Sequence, residues 1–229
     1  MIISLPAGEL KEYIRQQVNL FFPDKYKFEG HDVDSAFSQA LERVEYCFKH
    51  ITLPMYLTHD RQPYFYHMHS DQYSQFLYFL SNSLWELSQN KPICDKLLVL
   101  NRALSGFFVS YKCPLPAIFI FIHPLGSVIG NAKFSEFTII MQGVTVNTSP
   151  RFMGSSSPSL GRGLALCAGA TIIGDKPIGD RVTIGANAQV HNISIADDSI
   201  VVRDSTGQIN IKHRGEKPCY AQCYFNVQI

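Results

Sequence analysis

Residues 160–190 read LGRGLALCAGATIIGDKPIGDRVTIGANAQV, and a large aliphatic residue returns at every sixth position: Leu160, Leu166, Ile172, Ile178, Ile184 and Val190. Upstream, the same spacing runs through Ile122, Val128, Phe134, Ile140 and Val146. The intervening NTSPRFMGSSSPS is rich in Ser and Pro and reads as a loop extruded from a corner. Side chains repeat every 3.6 residues along a helix and every 2 along a strand. Neither holds a period of six over eleven units. A parallel β-helix does, because each hexad is one short strand plus a turn and three hexads make a coil. The lead residues then stack inside a prism. The residue after the lead is often small, as at Gly161, Gly179 and Gly185, where the chain must turn.

Working outward, the texture changes near Pro114. Before it, apolar residues recur at helical spacing. Phe37, Ala40, Leu41, Val44, Phe48 and Ile51 form one stripe, with Asp32 or Asp34 available as a cap. Ser70 is a good N-cap for a second helix carrying Phe76, Leu77, Phe79, Leu80, Leu84 and Trp85, and the stripe Tyr73, Phe76, Phe79 reads as core. A third helix is expected from about Ile93 to Leu104, and a weaker one over Gly8–Phe22. Thr52–His69, rich in Tyr, Pro and His, reads as a loop. The expected fold is mostly β, a parallel β-helix preceded by an α-helical N-terminal domain. The divisions are 1–115 for the helices, 116–205 for the β-helix and 206–229 for a polar tail.

Composition narrows the function. Charged residues are 17% of the 229, below the ~25% usual for soluble domains. That deficit fits surface buried between copies. A net charge of +1 does not support a nucleic-acid partner, whose phosphates want a concentrated basic surface. The longest apolar run, Ala117–Ile122, is far too short to span a bilayer. The N-terminus lacks the basic start of a signal peptide. The six cysteines carry no CxxC pairing and read as free thiols. A cytoplasmic protein is expected.

Five segments carry a resemblance: ALERVEYCFKHI, HSDQYSQFLYFLSNSLW and DKLLVLNRAL among the helices, then IHPLGSVIGNAKFSEFTIIMQGVTV and IIGDKPIGDRVTIGANAQV in the ladder. Together they resemble the hexapeptide-repeat acyltransferases that use acetyl-CoA. The closest likeness is to the serine acetyltransferase-like branch and its relatives in polysaccharide gene clusters. The resemblance implies a left-handed coil, acetyl-CoA as co-substrate without a metal, and a homotrimer or dimer of trimers with its site in the groove between subunits. It also implies that His123 is the catalytic base. Following the lead Ile122 by one position, His123 is expected to face outward. A hydroxyl attacks a thioester slowly unless its proton is removed as it attacks, and neutral imidazole suits that task.

Several family positions hold other residues here. The segment in which the branch carries an Asp that orients the catalytic ring is GFFVSYK, with Phe108. Ile122 stands where the branch carries Asp, and Ser156 and Ser157 fall near its serine-recognising Arg and His. A site without those charges is poorly built to hold a free amino acid. The reading therefore favours a sugar or polysaccharide hydroxyl as acceptor, with serine as the alternative and a non-catalytic trimeric scaffold as an alternative of another class. Glu136, Asp71 or a backbone carbonyl could orient His123.

Other candidates follow from position. Asn131, Gly143, Gly169 and Gly185 are candidates for close approach to the pantetheine arm, or are ordinary coil turns. Lys212, in the run Lys212–Arg214, could meet CoA phosphates or belong to a solvated tail. His69 and Asp71 could bind acceptor, or serve a helix start. His191 also follows a lead, but two outward histidines fall short of the three His ligands needed for zinc. Cys167 could line the groove and carry an acetyl group, or be inert. Cys219 and Cys223 read as packing residues.

Overall fold

The computed structural model describes residues 1–148 and 157–229. They form two compact units, Met1–Lys49 with Leu53–Lys112, and His50–Thr52 with Cys113–Ile229.

The first unit holds four helices, α1 (Ala7–Phe21), α2 (His31–Phe48), α3 (Ser70–Ser88) and α4 (Lys91–Ser105). Helix α3 is the core, buried at every residue from Asp71 to Leu84. Tyr73, Phe76 and Phe79 lie inside it. Polar groups at such depth need partners. Gln72 donates to the Met55 carbonyl at 2.8 Å and accepts from the Tyr66 N–H at 2.7 Å. Asn82 donates to the Tyr111 carbonyl at 2.8 Å and accepts from Arg43 at 2.8 Å. Helix α2 begins right after Gly30, so Asp32 and Asp34 occupy its first turn and cap nothing. Asp32 instead accepts from Ser88 at 3.0 Å and Asn90 at 2.9 Å. His69, not Ser70, holds the cap position of α3. The loop over 52–69 contains a short strand, Tyr64–Phe65, paired in parallel with Ile2–Ile3.

The second unit is a parallel β-helix. One face stacks Phe121, Ile140, Leu166, Ile184 and Val201 in register. The next stacks Ile129, Val146, Ile172 and Val190. The third stacks Phe134, Leu160, Ile178 and Ile195. All but Phe134 are buried, and each large aliphatic side chain so buried contributes roughly 1.5–3 kcal/mol. The small residue after the lead has a steric cause: a Cβ on Gly161 would meet the Gly179 carbonyl oxygen at 2.3 Å.

The first coil departs from the expected frame. Phe121 and Ile129 fill the interior, while Ile122 is half-buried and Val128 is 38% exposed. From Phe121 to the corner glycine Gly126 the chain uses two more residues than from Ile140 to Gly143. A five-residue step from Ile129 to Phe134 takes back one of the two, so the first coil runs one residue longer than three hexads from Phe121 to Ile140. Because Phe121-Ile122 and Val128-Ile129 are both apolar pairs, a strict period of six fits the wrong member of each.

The end of the chain is ordered and packs in part, although Lys212 and His213 are exposed to solvent. Ile209–His213 forms an antiparallel strand on Ser199–Arg203. Cys219, Ala221 and Phe225 are buried, Phe225 lies 5.3 Å from the Phe137 ring, and Ile51 bridges to Phe225 instead of extending α2. Cys223 is exposed, so of the two tail cysteines only Cys219 packs. Helix residues outnumber strand residues among the described ones, so "mostly β" fits the second unit alone.

The last coil carries an acid-sensitive cluster. Asp198 accepts both arms of the Arg181 fork at 2.8 Å and a further bond from Arg214. Hydrogen bonding from Arg181, and then from Arg214, holds its carboxyl far below the usual carboxylate range. A carboxyl depressed in the folded state stabilises above its unfolded value, near ~3.9, and that stability is lost as pH falls further. The Asp198→Asn variant keeps a side chain suited to φ +56°. Thermal melts from pH 7 down to pH 3 should show the gap between wild type and Asp198→Asn narrowing at the acid end. A gap independent of pH would contradict this.

Candidate active site

His123 follows the strand Phe119–Ile122 and opens the widened corner. It is exposed, as the sequence expects, but for a different reason. It lies two residues past the interior Phe121, where plain alternation would turn it inward. A backbone φ of +48° and the widened corner carry it outward. The Leu125 N–H donates to the His123 carbonyl at 2.7 Å, and the Ser127 N–H to the Pro124 carbonyl at 2.9 Å. The strand leading to His123 is pinned by Glu136, whose carboxylate accepts from the Ile118 N–H at 2.6 Å. Glu136 thus holds backbone at the far end of that strand. Asp71, the other carboxylate considered as an orienter, belongs to the helical unit.

Gly143 and Gly169 stack directly below this corner. The Gly143 N–H donates to the Leu125 carbonyl at 2.9 Å, and the Gly169 N–H to the Gln142 carbonyl at 2.8 Å. Their φ values of +66° and +68° require glycine or a residue tolerant of the left-handed region. A Cβ on Gly143 would lie 3.5 Å from the Gly169 backbone nitrogen. Gly185 follows Ile184 on the same face, in the row that begins with Ile122, Met141 and Cys167. Four candidates, His123, Gly143, Gly169 and Gly185, therefore share one corner of the prism. Asn131 does not join them. It is exposed at the corner after the second face, its carbonyl accepting from Asn147 at 2.8 Å.

Lys212 is exposed on the terminal strand, opposite Ile200 and five strand spacings from His123, about 24 Å at ~4.8 Å each. The member of that basic run that enters a cavity is Arg214. With Arg181, Lys217, Asp198 and Glu216 it lines a cavity of mixed charge, about 450 Å³, at the last coil, which the sequence does not announce because Arg181 lies far upstream.

His69 and Asp71 sit at the start of α3. Asp71 is only 4% exposed and accepts from Ser70 at 3.3 Å, and His69 packs 5.9 Å from the Tyr56 ring. Neither lines the 250 Å³ cavity of the helical unit, which His67, Tyr13 and Tyr73 share. His191 projects from the second face and His123 from the first, so they cannot share a ligand. Among the described residues no group of three His, Cys, Asp or Glu is placed to hold a metal. Burial pushes the Cys167 thiol up, which disfavours a nucleophilic thiolate. Ser156 lies outside the described residues, while Ser157 is half-buried.

Comparison with known proteins bears on the fold. No protein-family model matches the chain. Serine acetyltransferase from Synechococcus elongatus is 31% identical over 119 residues, covering 51% of this chain and 49% of that protein. Serine acetyltransferase from Helicobacter pylori is 39% identical over 99 residues, covering 43% and 58%. The chain thus spans about half the length of the curated relatives it matches. Among solved structures, serine acetyltransferase from Neisseria gonorrhoeae superposes with a TM-score of 0.66 at 20% identity, over 98% of this chain and 86% of that one. The chain has the serine acetyltransferase fold. A serine acetyltransferase solved with CoA matches with a TM-score of 0.62 at 17% identity, over 89% and 84%. The fold is a left-handed parallel β-helix preceded by an α-helical unit, and at these identities the structural likeness establishes architecture alone. No helix among the described residues is long and apolar enough to cross a membrane.

Proposed function

We propose that this chain is an acetyl-CoA-dependent O-acetyltransferase of the serine acetyltransferase type, with His123 as its base. The observation that carries the proposal is an exposed imidazole on a widened prism corner, above a row of glycines running down the same edge. The neutral ring takes the proton of the acceptor hydroxyl as its oxygen attacks the acetyl carbonyl carbon. The tetrahedral intermediate collapses with loss of the C–S bond, and the imidazolium returns its proton to the leaving thiolate. A thiolate leaves readily because thiol pKa values lie near ~8.5. The corner at Gly143, Gly169 and Gly185 lets an extended pantetheine arm approach the backbone. Near the last coil the exposed Lys217 offers a charge-assisted bond to phosphate, while Arg181 and Arg214 beside it are already held by Asp198.

Leu125 is 67% exposed and Val128 38%, both beside His123. Apolar groups so placed support a second copy against this face, and hence a trimer whose groove completes the site.

Free serine is the acceptor supported by the relatives, all serine acetyltransferases. A second reading, a sugar hydroxyl, is favoured by Ile122 and Ser157, which supply no charge to hold an amino acid. Calorimetry with CoA and a kcat/KM comparison of serine with hexoses and capsular oligosaccharides test the function. Saturable CoA binding with turnover on serine supports the first reading, and turnover confined to sugars supports the second. No CoA binding would leave only a scaffold.

A further inference from the structure

We propose that Ser127 is a positioning residue for His123, an inference that rests on reading His123 as the base. The corner from His123 to Gly126 carries two more residues than the corner beneath it, and ordering each extra residue costs roughly 1–2 kcal/mol of backbone entropy. His123 also sits at φ +48°. A non-glycine residue keeps such a backbone conformation only where its surroundings enforce it.

The enforcing contact is unusual for this coil. In the third and fourth turns of the same corner, the chain closes on itself: the Ala170 N–H donates to the Cys167 carbonyl at 2.9 Å, and the Ala188 N–H to the Gly185 carbonyl at 3.0 Å. The matching pair in the second turn is the Val144 N–H and the Met141 carbonyl. Between them stands the Ser127 hydroxyl from the coil above. It donates to the Met141 carbonyl at 2.7 Å and accepts from the Val144 N–H at 3.0 Å. Ser127 is fully buried, and it shares its row with the apolar Val144, Ala170 and Ala188. One hydroxyl has therefore been inserted into the turn bond of its neighbour, tying the widened corner of His123 to the coil below. Backbone bonds alone could be made by many sequences, whereas this tie needs a hydroxyl at this position.

The variants are chosen to fold. Alanine fills this row at Ala170 and Ala188, and with Ser127→Ala the Val144 N–H and Met141 carbonyl can close their own turn. Ser127→Thr keeps the hydroxyl and has the branched shape that the row accepts at Val144. Ser127→Ala should bind CoA with unchanged stoichiometry and within ~2-fold of the wild-type affinity, while kcat falls ~10- to 100-fold, the scale of a displaced catalytic group. Ser127→Thr should restore most of kcat. Combined with His123→Ala, Ser127→Ala should cost nothing further, because it acts through the ring. Wild-type kcat in Ser127→Ala, or a loss that multiplies with that of His123→Ala, would overturn the proposal. If His123→Ala itself keeps full activity, the reading of the base has failed. If only Ser127→Ala does, the base stands and this inference alone is lost.

Discussion

Replacing His123 with alanine is expected to lower kcat at least ~100-fold while leaving CoA binding intact, because general-base catalysis contributes roughly 10²- to 10⁴-fold. The split follows from the site. The glycine corner below His123, and Lys217 at the last coil, which would hold the co-substrate, do not involve the imidazole. An exposed side chain at a corner is also a mild substitution for the fold, since it fills no interior space. Steady-state kinetics with calorimetry in parallel checks both halves. A fall in kcat together with lost CoA binding would mean that the corner itself had collapsed. His123→Asn keeps a polar side chain of tolerable backbone preference and should be as inactive as alanine, because an amide cannot take the proton.

The largest effect on stability is expected at Phe121. Its ring is completely buried, lies 5.0 Å from that of Phe119 and stacks in register on Ile140. Phe121→Ala should destabilise the coil unit by about 3–5 kcal/mol, the usual cost of emptying an aromatic core site. Ile122→Ala, one position on, should cost clearly less because Ile122 is only half-buried. Denaturant titration of both variants tests the register of the first coil. Equal losses, or a larger loss at Ile122, would restore the strict six-residue frame that the structure replaces.

That contrast shows what can be read from sequence. Lead residues from Phe134 to Val190 announce the prism, because each face returns a large apolar residue at every sixth position. The spacing is silent about a corner insertion flanked by two apolar pairs, so Ile122 and Val128 mimic Phe121 and Ile129. His123 is recognisable by resemblance, and its outward direction depends on a positive φ that no periodicity encodes. Ser127 left no signal at all: a serine in an apolar row looks like a weak core position until its two backbone partners are seen. Asp71 and Glu136 are typical carboxylate candidates, yet burial in α3 claims one and the Ile118 N–H the other. The terminal segment reads as a polar tail because Lys212, His213 and Arg214 dominate its texture, and its strand is indeed exposed. Its buried contacts come from scattered single residues, Cys219, Ala221 and Phe225, which no periodicity marks.

Thiol release from acetyl-CoA, followed with and without an acceptor hydroxyl, tests the catalytic reading of His123 most directly. Release should begin only when serine or a sugar acceptor is added, and should vanish in His123→Ala. Equal release in both proteins, or none from wild type with any acceptor, would contradict it.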